Sequence, residues 1–201
     1  MRAYSGKEIL NMNFKTVEFD GEFYKLIGKP ELSGTWLIWG GSANGKTRFA
    51  IQLAVYLSQF DKVVYNPLEE GITHSLKKAV KKEKAFSNIK FLNKETLDEL
   101  RARLQKQKSP RIIITDSLQY TGLKYADYIK LKEEFPKKLF IFISHAEGKE
   151  PAGRVAKSVR YDADVKIRIE GFKAFADSRY LDDPSEPYTI WEKGAEEYWI
   201  K

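Results

Sequence analysis

The segment Gly40-Gly41-Ser42-Ala43-Asn44-Gly45-Lys46-Thr47 narrows what this chain can fold into more than any other part of it. It follows Trp36–Trp39, a short apolar run with strand character, and precedes KTRFAIQLAVYLSQF, whose apolar residues recur at helical spacing. A G-x-x-x-x-G-K-[ST] pattern set between a strand and a helix is a backbone cup for phosphate. Gly40 and Gly45 permit the tight turn that lets successive N–H groups surround a β-phosphate, and a helix beginning near Gly45 points its positive dipole end at the same place. Lys46 supplies a mobile charge for the β- and γ-phosphates, and the Thr47 hydroxyl can coordinate Mg²⁺. Gly40 through Thr47, with Arg48 beside them, are therefore the candidate nucleotide contacts.

The rest of the chain repeats the strand-then-helix rhythm. TWLIWG, KVVYNP, IKFLN, RIIITD and KLFIFIS are short apolar runs separated by helix-compatible stretches such as GITHSLKKAVKKEKAF and KETLDELRARLQKQ. Continuous apolar strands of this kind belong in a mainly parallel central sheet flanked by helices on both faces, an α/β fold. After about residue 163 the texture changes to DVKIRIEGFKAFADSRYL and PYTIWEKGAEEYWI, which predict antiparallel strands at the C-terminal edge. Residues 1–30 show no strong period and read as a lead-in packed beside the core, leaving 31–201 as a single domain. A length of 201 residues, 42% of them apolar, suits one core, and no Pro/Ser/Gly-rich linker divides it.

Cysteine is absent, which removes disulfides, thiolate metal sites and cysteine nucleophiles, and two histidines are too few for a multi-histidine metal site. No apolar run resembles a secretory signal or approaches the ~18 residues of a membrane span, so a cytoplasmic chain with no membrane partner is expected. Lys and Arg number 35 against 28 Asp and Glu, and the resulting charge of +7 suits a polyanionic partner.

Three further positions extend the phosphate cup into a reaction site. Asp116 ends the apolar strand Arg111–Thr115, where a carboxylate can hold Mg²⁺ through its water shell; capping of the following segment is the alternative. Glu69-Glu70 lies just past the strand Lys62–Asn66, placed either to polarise a water attacking the γ-phosphate or to complement the dipole of the next helix. His145 follows the strand Lys138–Ser144 at the carboxyl edge, where ligands of open α/β sheets collect, and can touch a γ-phosphate or simply close its strand by a hydrogen bond. His74, on a lysine-rich helix, reads as an ordinary surface residue.

LSGTWLIWGGSANGKT, VVYNPLEEG, IIITDSLQY and FIFISHAEGKEPAGRVAKSVRYDADVKIRIEG together resemble the RecA-like P-loop ATPases, in particular the RadA and DnaB-type branch, over about residues 24 to 200. The resemblance implies ATP and Mg²⁺ as cofactors, Thr47 and Asp116 as metal ligands, Glu69 in the catalytic place with Glu70 in reserve, and His145 as γ-phosphate sensor. It also implies single-stranded DNA as a partner and a homo-oligomer, ring or filament, because nucleotide sites of the family lie between subunits. Asp177-Ser178-Arg179-Tyr180 is similar to the family's K-x-R element, but Asp177 replaces the lysine, so Arg179 alone carries over as a trans-acting candidate. The short C-terminal edge leaves a monomer as the alternative.

By the same resemblance the two DNA-facing loops are Leu118–Tyr125 and Glu147–Asp162. The second carries Lys149, Arg154, Lys157 and Arg160 around Pro151 and Gly153, and the first offers Tyr120 and Tyr125 for base stacking. Lys77, Lys78, Lys81, Lys82 and Lys84 form another basic run, read as a solvated helix face. Tyr188, Trp191, Tyr198 and Trp199 read as hairpin packing. The function expected is a Mg²⁺-dependent ATPase acting on DNA; a KaiC-like ATP switch acting on a protein partner is the alternative, and phosphotransfer to another acceptor ranks third.

Overall fold

A computed structural model describes residues 2–85 and 88–200. In chain order the elements are α1 (Gly6–Leu10), α2 (Gly21–Ile27), β1 (Gly34–Gly40), α3 (Lys46–Leu57), β2 (Val63–Pro67), α4 (His74–Lys82), β3 (Ile89–Phe91), α5 (Leu97–Leu104) and β4 (Ile112–Asp116). A 3₁₀ turn at Leu118–Tyr120 leads to α6 (Tyr125–Glu134), β5 (Leu139–Glu147), β6 (Glu150–Pro151), α7 (Arg154–Asp162), β7 (Val165–Glu170), β8 (Lys173–Ser178), β9 (Tyr188–Thr189) and α8 (Glu192–Trp199). Phe86, at the end of the lysine-rich stretch expected to be helical, lies outside the described residues.

The sheet order is β3-β2-β4-β5-β1-β7-β8-β9, with β6 paired to β5. From β3 to β7 every neighbouring pair is parallel. Alternation within the strands divides the core in two. Trp36, Ile38, Ile112, Ile114, Ile141 and Ile143 face the layer that holds α3. Leu37, Trp39, Ile113, Phe140 and Phe142 face the layer that holds α5 and α6. Strands buried on both faces have no polar side to alternate with, hence their unbroken apolar runs.

The antiparallel strands expected at the C-terminal edge are present: β7 lies parallel to β1 on its inner side, with Trp36 opposite Val165, and antiparallel to β8 on its outer side, and β8 pairs antiparallel with β9. Two segments read as irregular or extended are helical. Arg154–Asp162 buries Ala156 and Val159, three apart, on one face, so the segment after Gly153 is α7 and not loop. Glu192–Trp199 forms α8, because Glu, Lys and Ala supply helix propensity there and Tyr198 and Trp199 are adjacent rather than alternating. In the lead-in, α2 buries Phe23, Leu26 and Ile27, and Phe23 stacks on Tyr56 at 4.5 Å and on Tyr188 at 4.9 Å between ring centres. No helix of the described residues is long and apolar enough to cross a membrane.

Candidate nucleotide site

The carboxyl ends of β1, β2, β4 and β5 meet at one edge, and the parallel register sets their terminal residues side by side: Gly40 opposite His145, Pro67 opposite Asp116, Asp116 opposite Ile143. A cavity of about 320 Å³ opens there, lined by Ser42, Lys46, Thr47, Glu69, Asp116 and His145 among others.

The Gly40–Thr47 loop is shaped by contacts that exclude side chains. A Cβ on Gly40 would lie 2.3 Å from the Ile169 carbonyl oxygen of β7, and Gly45 has φ +98°, a left-handed conformation that glycine adopts without steric cost. α3 starts at Lys46 with no side-chain cap and no acid in its first turn, which leaves its leading N–H groups free for an anion. Asn44 holds the loop in place, since its Nδ2 donates to the Ser42 carbonyl at 3.0 Å and its Oδ1 accepts from the Gly171 N–H at 2.8 Å. The Lys46 Nζ donates to the Gly41 carbonyl at 2.7 Å, and burial lowers its pKa against the opposing pull of Asp116 and Glu69. Arg48 points away from the cup: its Nε donates to Glu83 at 2.8 Å and its guanidinium lies 5.9 Å from the Trp191 ring centre.

The opposite wall is built by side chains. Asp116 Oδ2 accepts from the Tyr65 hydroxyl at 2.7 Å and from the Thr47 hydroxyl at 3.3 Å. Burial raises the pKa of Asp116, only partly offset by those two bonds, and raises that of fully buried Tyr65 well above the ordinary phenol value. Thr47 and Asp116 offer hydroxyl and carboxylate oxygens, hard donors that could hold Mg²⁺ while it keeps most of its own waters. No group of three or more His, Cys, Asp and Glu side chains is placed to hold one metal ion among the described residues.

Glu69 follows β2 and reaches across to the end of β5. Its Oε2 lies 2.8 Å from His145 Nε2 and accepts from the Ser117 hydroxyl at 3.2 Å; Ser117 Oγ is 3.3 Å from His145 Nε2. Glu70 also lines the cavity. Tyr65 and Ser117 are side chains of the candidate site that reading the sequence missed. Tyr65 pairs with Ile114, two residues before Asp116, so the period of two puts Tyr65 and Asp116 on one face, a relation visible only once β2 is known to neighbour β4.

The remaining candidates lie elsewhere. Arg179 ion-pairs with Asp164 at 2.9 Å beside the start of β1, at the end of the sheet opposite the phosphate loop and away from its own chain's cavity. Lys157 pairs with Glu147 at 3.2 Å and Arg160 pairs with Glu150, its guanidinium over the Trp39 ring. The Lys149 carbonyl accepts from the Trp39 indole N–H at 2.9 Å, and Arg154 opens α7. Tyr120 and Tyr125 are exposed. His74 is exposed at the start of α4.

No protein-family model and no curated protein sequence matches the chain. Solved structures do match. The ATPase domain of G40P superimposes with a TM-score of 0.59 at 18% identity, covering 83% of this chain and 84% of that one. The flagellar accessory protein FlaH from Methanocaldococcus jannaschii gives 0.61 at 17% identity over 87% and 93%. The KaiC-like protein PH0186 from the hyperthermophilic archaeon Pyrococcus horikoshii OT3 gives 0.59 at 18% over 83% and 89%. At such identities the likeness is one of fold. The chain shares the fold of these three structures, with the Gly40–Thr47 loop, the Asp116 strand and the Glu69 strand end at one sheet edge.

Proposed function

We propose that the protein binds ATP with Mg²⁺ and hydrolyses it, and that hydrolysis serves an action on single-stranded DNA. The observation that carries this reading is Glu69 fixed by His145 and Ser117 in the cavity that also holds Lys46, Thr47 and Asp116. Lys46 and the loop N–H groups hold the phosphates, and Thr47 with Asp116 would hold the metal, whose chemistry is to offset the charge that builds up on the phosphate oxygens. Glu69 Oε2 is occupied by its two neighbours, while Oε1 has no protein donor among the described residues and is available to a water. That water's oxygen bonds to the γ-phosphorus as the bond to the β-phosphate bridging oxygen breaks. Glu69 takes up the proton, and ADP and phosphate result. His145, touching Glu69 at the same edge, would register the presence or loss of the γ-phosphate.

A second reading, an ATP switch that works on a protein partner, is favoured by the pairing of Lys157 and Arg160 with glutamates, which lowers the free charge of the segment expected to face DNA. ATPase rates with and without single-stranded DNA, at several salt and protein concentrations, separate the two. Stimulation that fades with salt supports action on DNA, and an unchanged rate with no oligonucleotide bound at low salt supports the switch. A rate per chain that rises with protein concentration supports assembly between subunits. A phosphorylated acceptor formed alongside ADP would replace both readings with phosphotransfer.

A further inference from the structure

The edge strand β3 borders a groove of about 500 Å³ whose lining includes Lys62, Lys90, Arg103, Lys106 and Lys108 and no carboxylate. Arg103 is bound by Glu95, but the four lysines are exposed and none has an ion-pair partner among the described residues. The groove sits at the amino ends of β2 and β4, away from the nucleotide cavity.

On the other face of the same edge lies α4, with Lys77, Lys78, Lys81, Lys82 and the following Lys84 exposed and likewise without an ion pair among the described residues. α4 turns Leu76, Ala79 and Val80 into the core, so its free surface is the cationic one. Charge is thus left uncompensated on both sides of β3, whereas two of the four cations of the 147–162 segment are neutralised by glutamates of the same segment.

We propose that this β3 edge is a binding surface for the phosphate backbone of a nucleic-acid strand, gripping charge without reading sequence. The inference deepens the DNA-acting reading above and rests on that part of it, not on ATP hydrolysis. Lysine ammonium groups are point charges on flexible stems, suited to successive phosphates and not to base edges. A single small anion would need one or two of them; charges spread along a groove and around a strand edge suit a repeating polyanion. A bilayer would call for an apolar face beside the charge, and α4 has buried its own. α4 also shares a wall with the nucleotide cavity through Leu76, giving the triphosphate a path to the lysine helix.

Fluorescence anisotropy of a labelled oligothymidylate, titrated with the full chain across about 50 to 200 mM salt, tests the surface. The combined variant Lys90→Gln, Lys106→Gln and Lys108→Gln should bind at least about tenfold more weakly, and the slope of log affinity against log salt should fall by about 2, from ~0.7 per phosphate contact. Its binding of a non-cleavable ATP analogue should be unchanged. Lys149→Gln with Arg154→Gln should change affinity less. Acetylation of the wild-type chain gives a second readout that needs no variant: the oligonucleotide should protect Lys90, Lys106 and Lys108.

Full affinity in the triple variant, or equal acetylation with and without the oligonucleotide, would overturn the edge assignment. If the Lys149 and Arg154 variant alone lost binding, the DNA-acting reading would stand and this surface would not. A wild-type chain that ignored the oligonucleotide at low salt, or bound only anionic phosphatidylserine vesicles, would remove both. ATPase failure alone would leave this inference intact.

Discussion

The two walls of the candidate nucleotide cavity are made of different material. One is backbone: a glycine loop pressed against β7 and an uncapped helix, shaped by what Gly40 and Gly45 lack. The other is side chain: two carboxylates at the ends of β2 and β4, aimed by Tyr65, Ser117 and His145 and met by the Thr47 hydroxyl from α3. The first is local in sequence and steric in origin. The second depends on tertiary register and has taken charge out of water to do it, so changes to the two walls should fail in different ways.

The largest expected effect is on the side-chain wall. Glu69→Gln keeps the shape and a neutral acceptor but cannot take up a proton, and should lower kcat by about 10²–10⁴-fold. Binding of ATP analogue should stay within about twofold, because uptake of a proton contributes to the chemical step and not to the ground state. Steady-state phosphate release beside calorimetry reads both; equal losses in the two would erase the distinction between walls.

The backbone wall should break through the fold. Gly40→Ala places a carbon against the Ile169 carbonyl oxygen, which β1–β7 pairing holds in place, and should cost about 1–3 kcal/mol in denaturant unfolding as well as phosphate affinity. An unchanged midpoint would show that the loop is not held by this contact.

An effect of similar size, but confined to the metal, is expected from Tyr65→Phe, which removes one donor from Asp116. A lost hydrogen bond to a charged group contributes about 1.5–3 kcal/mol, so the Mg²⁺ concentration for half-maximal analogue binding should rise about tenfold or more, with the analogue's metal-free binding little changed.

The smallest effect has the opposite sign. Burial holds the Asp116 carboxyl above its usual range, so the native state takes up its proton more readily than the unfolded chain does. Its charge therefore opposes folding at neutral pH, and that cost is relieved as pH falls through the raised value. Asp116→Asn should stabilise the metal-free chain by about 1 kcal/mol at neutral pH, and should shed the acid-side gain that Asp116 gives the wild type. Thermal melts in chelator between about pH 4 and 7 measure both. A lower Tm for the variant throughout would mean that the hydrogen bonds from Tyr65 and Thr47 outweigh the buried charge.

The same contrast explains what could be read from the sequence. The Gly40–Thr47 spacing declares its geometry because every constraint falls within eight neighbouring positions. Unbroken apolar runs gave away the parallel strands, since burial on both faces leaves no polar alternation to confuse them. Tyr65 looked like one more apolar strand residue, and Ser117 drew no role of its own beside Asp116, because their partners lie 51 and 48 residues away and meet them only through strand order. α8 was obscured by aromatic residues whose strand preference masked the helix propensity of their neighbours, and α7 by the Pro151 and Gly153 that precede it. The lysines of α4 were visible one by one; their continuation around β3 into the groove with Lys62, Lys106 and Lys108 needed the sheet edge itself.

Calorimetry of the wild-type chain and of Lys46→Ala with Mg²⁺ and a non-cleavable ATP analogue goes to the centre of the account. Saturable heat from the wild type, with affinity about 10–100-fold weaker once the charged contact is removed, is the predicted outcome. No heat from the wild type, or identical isotherms for the two, would contradict it.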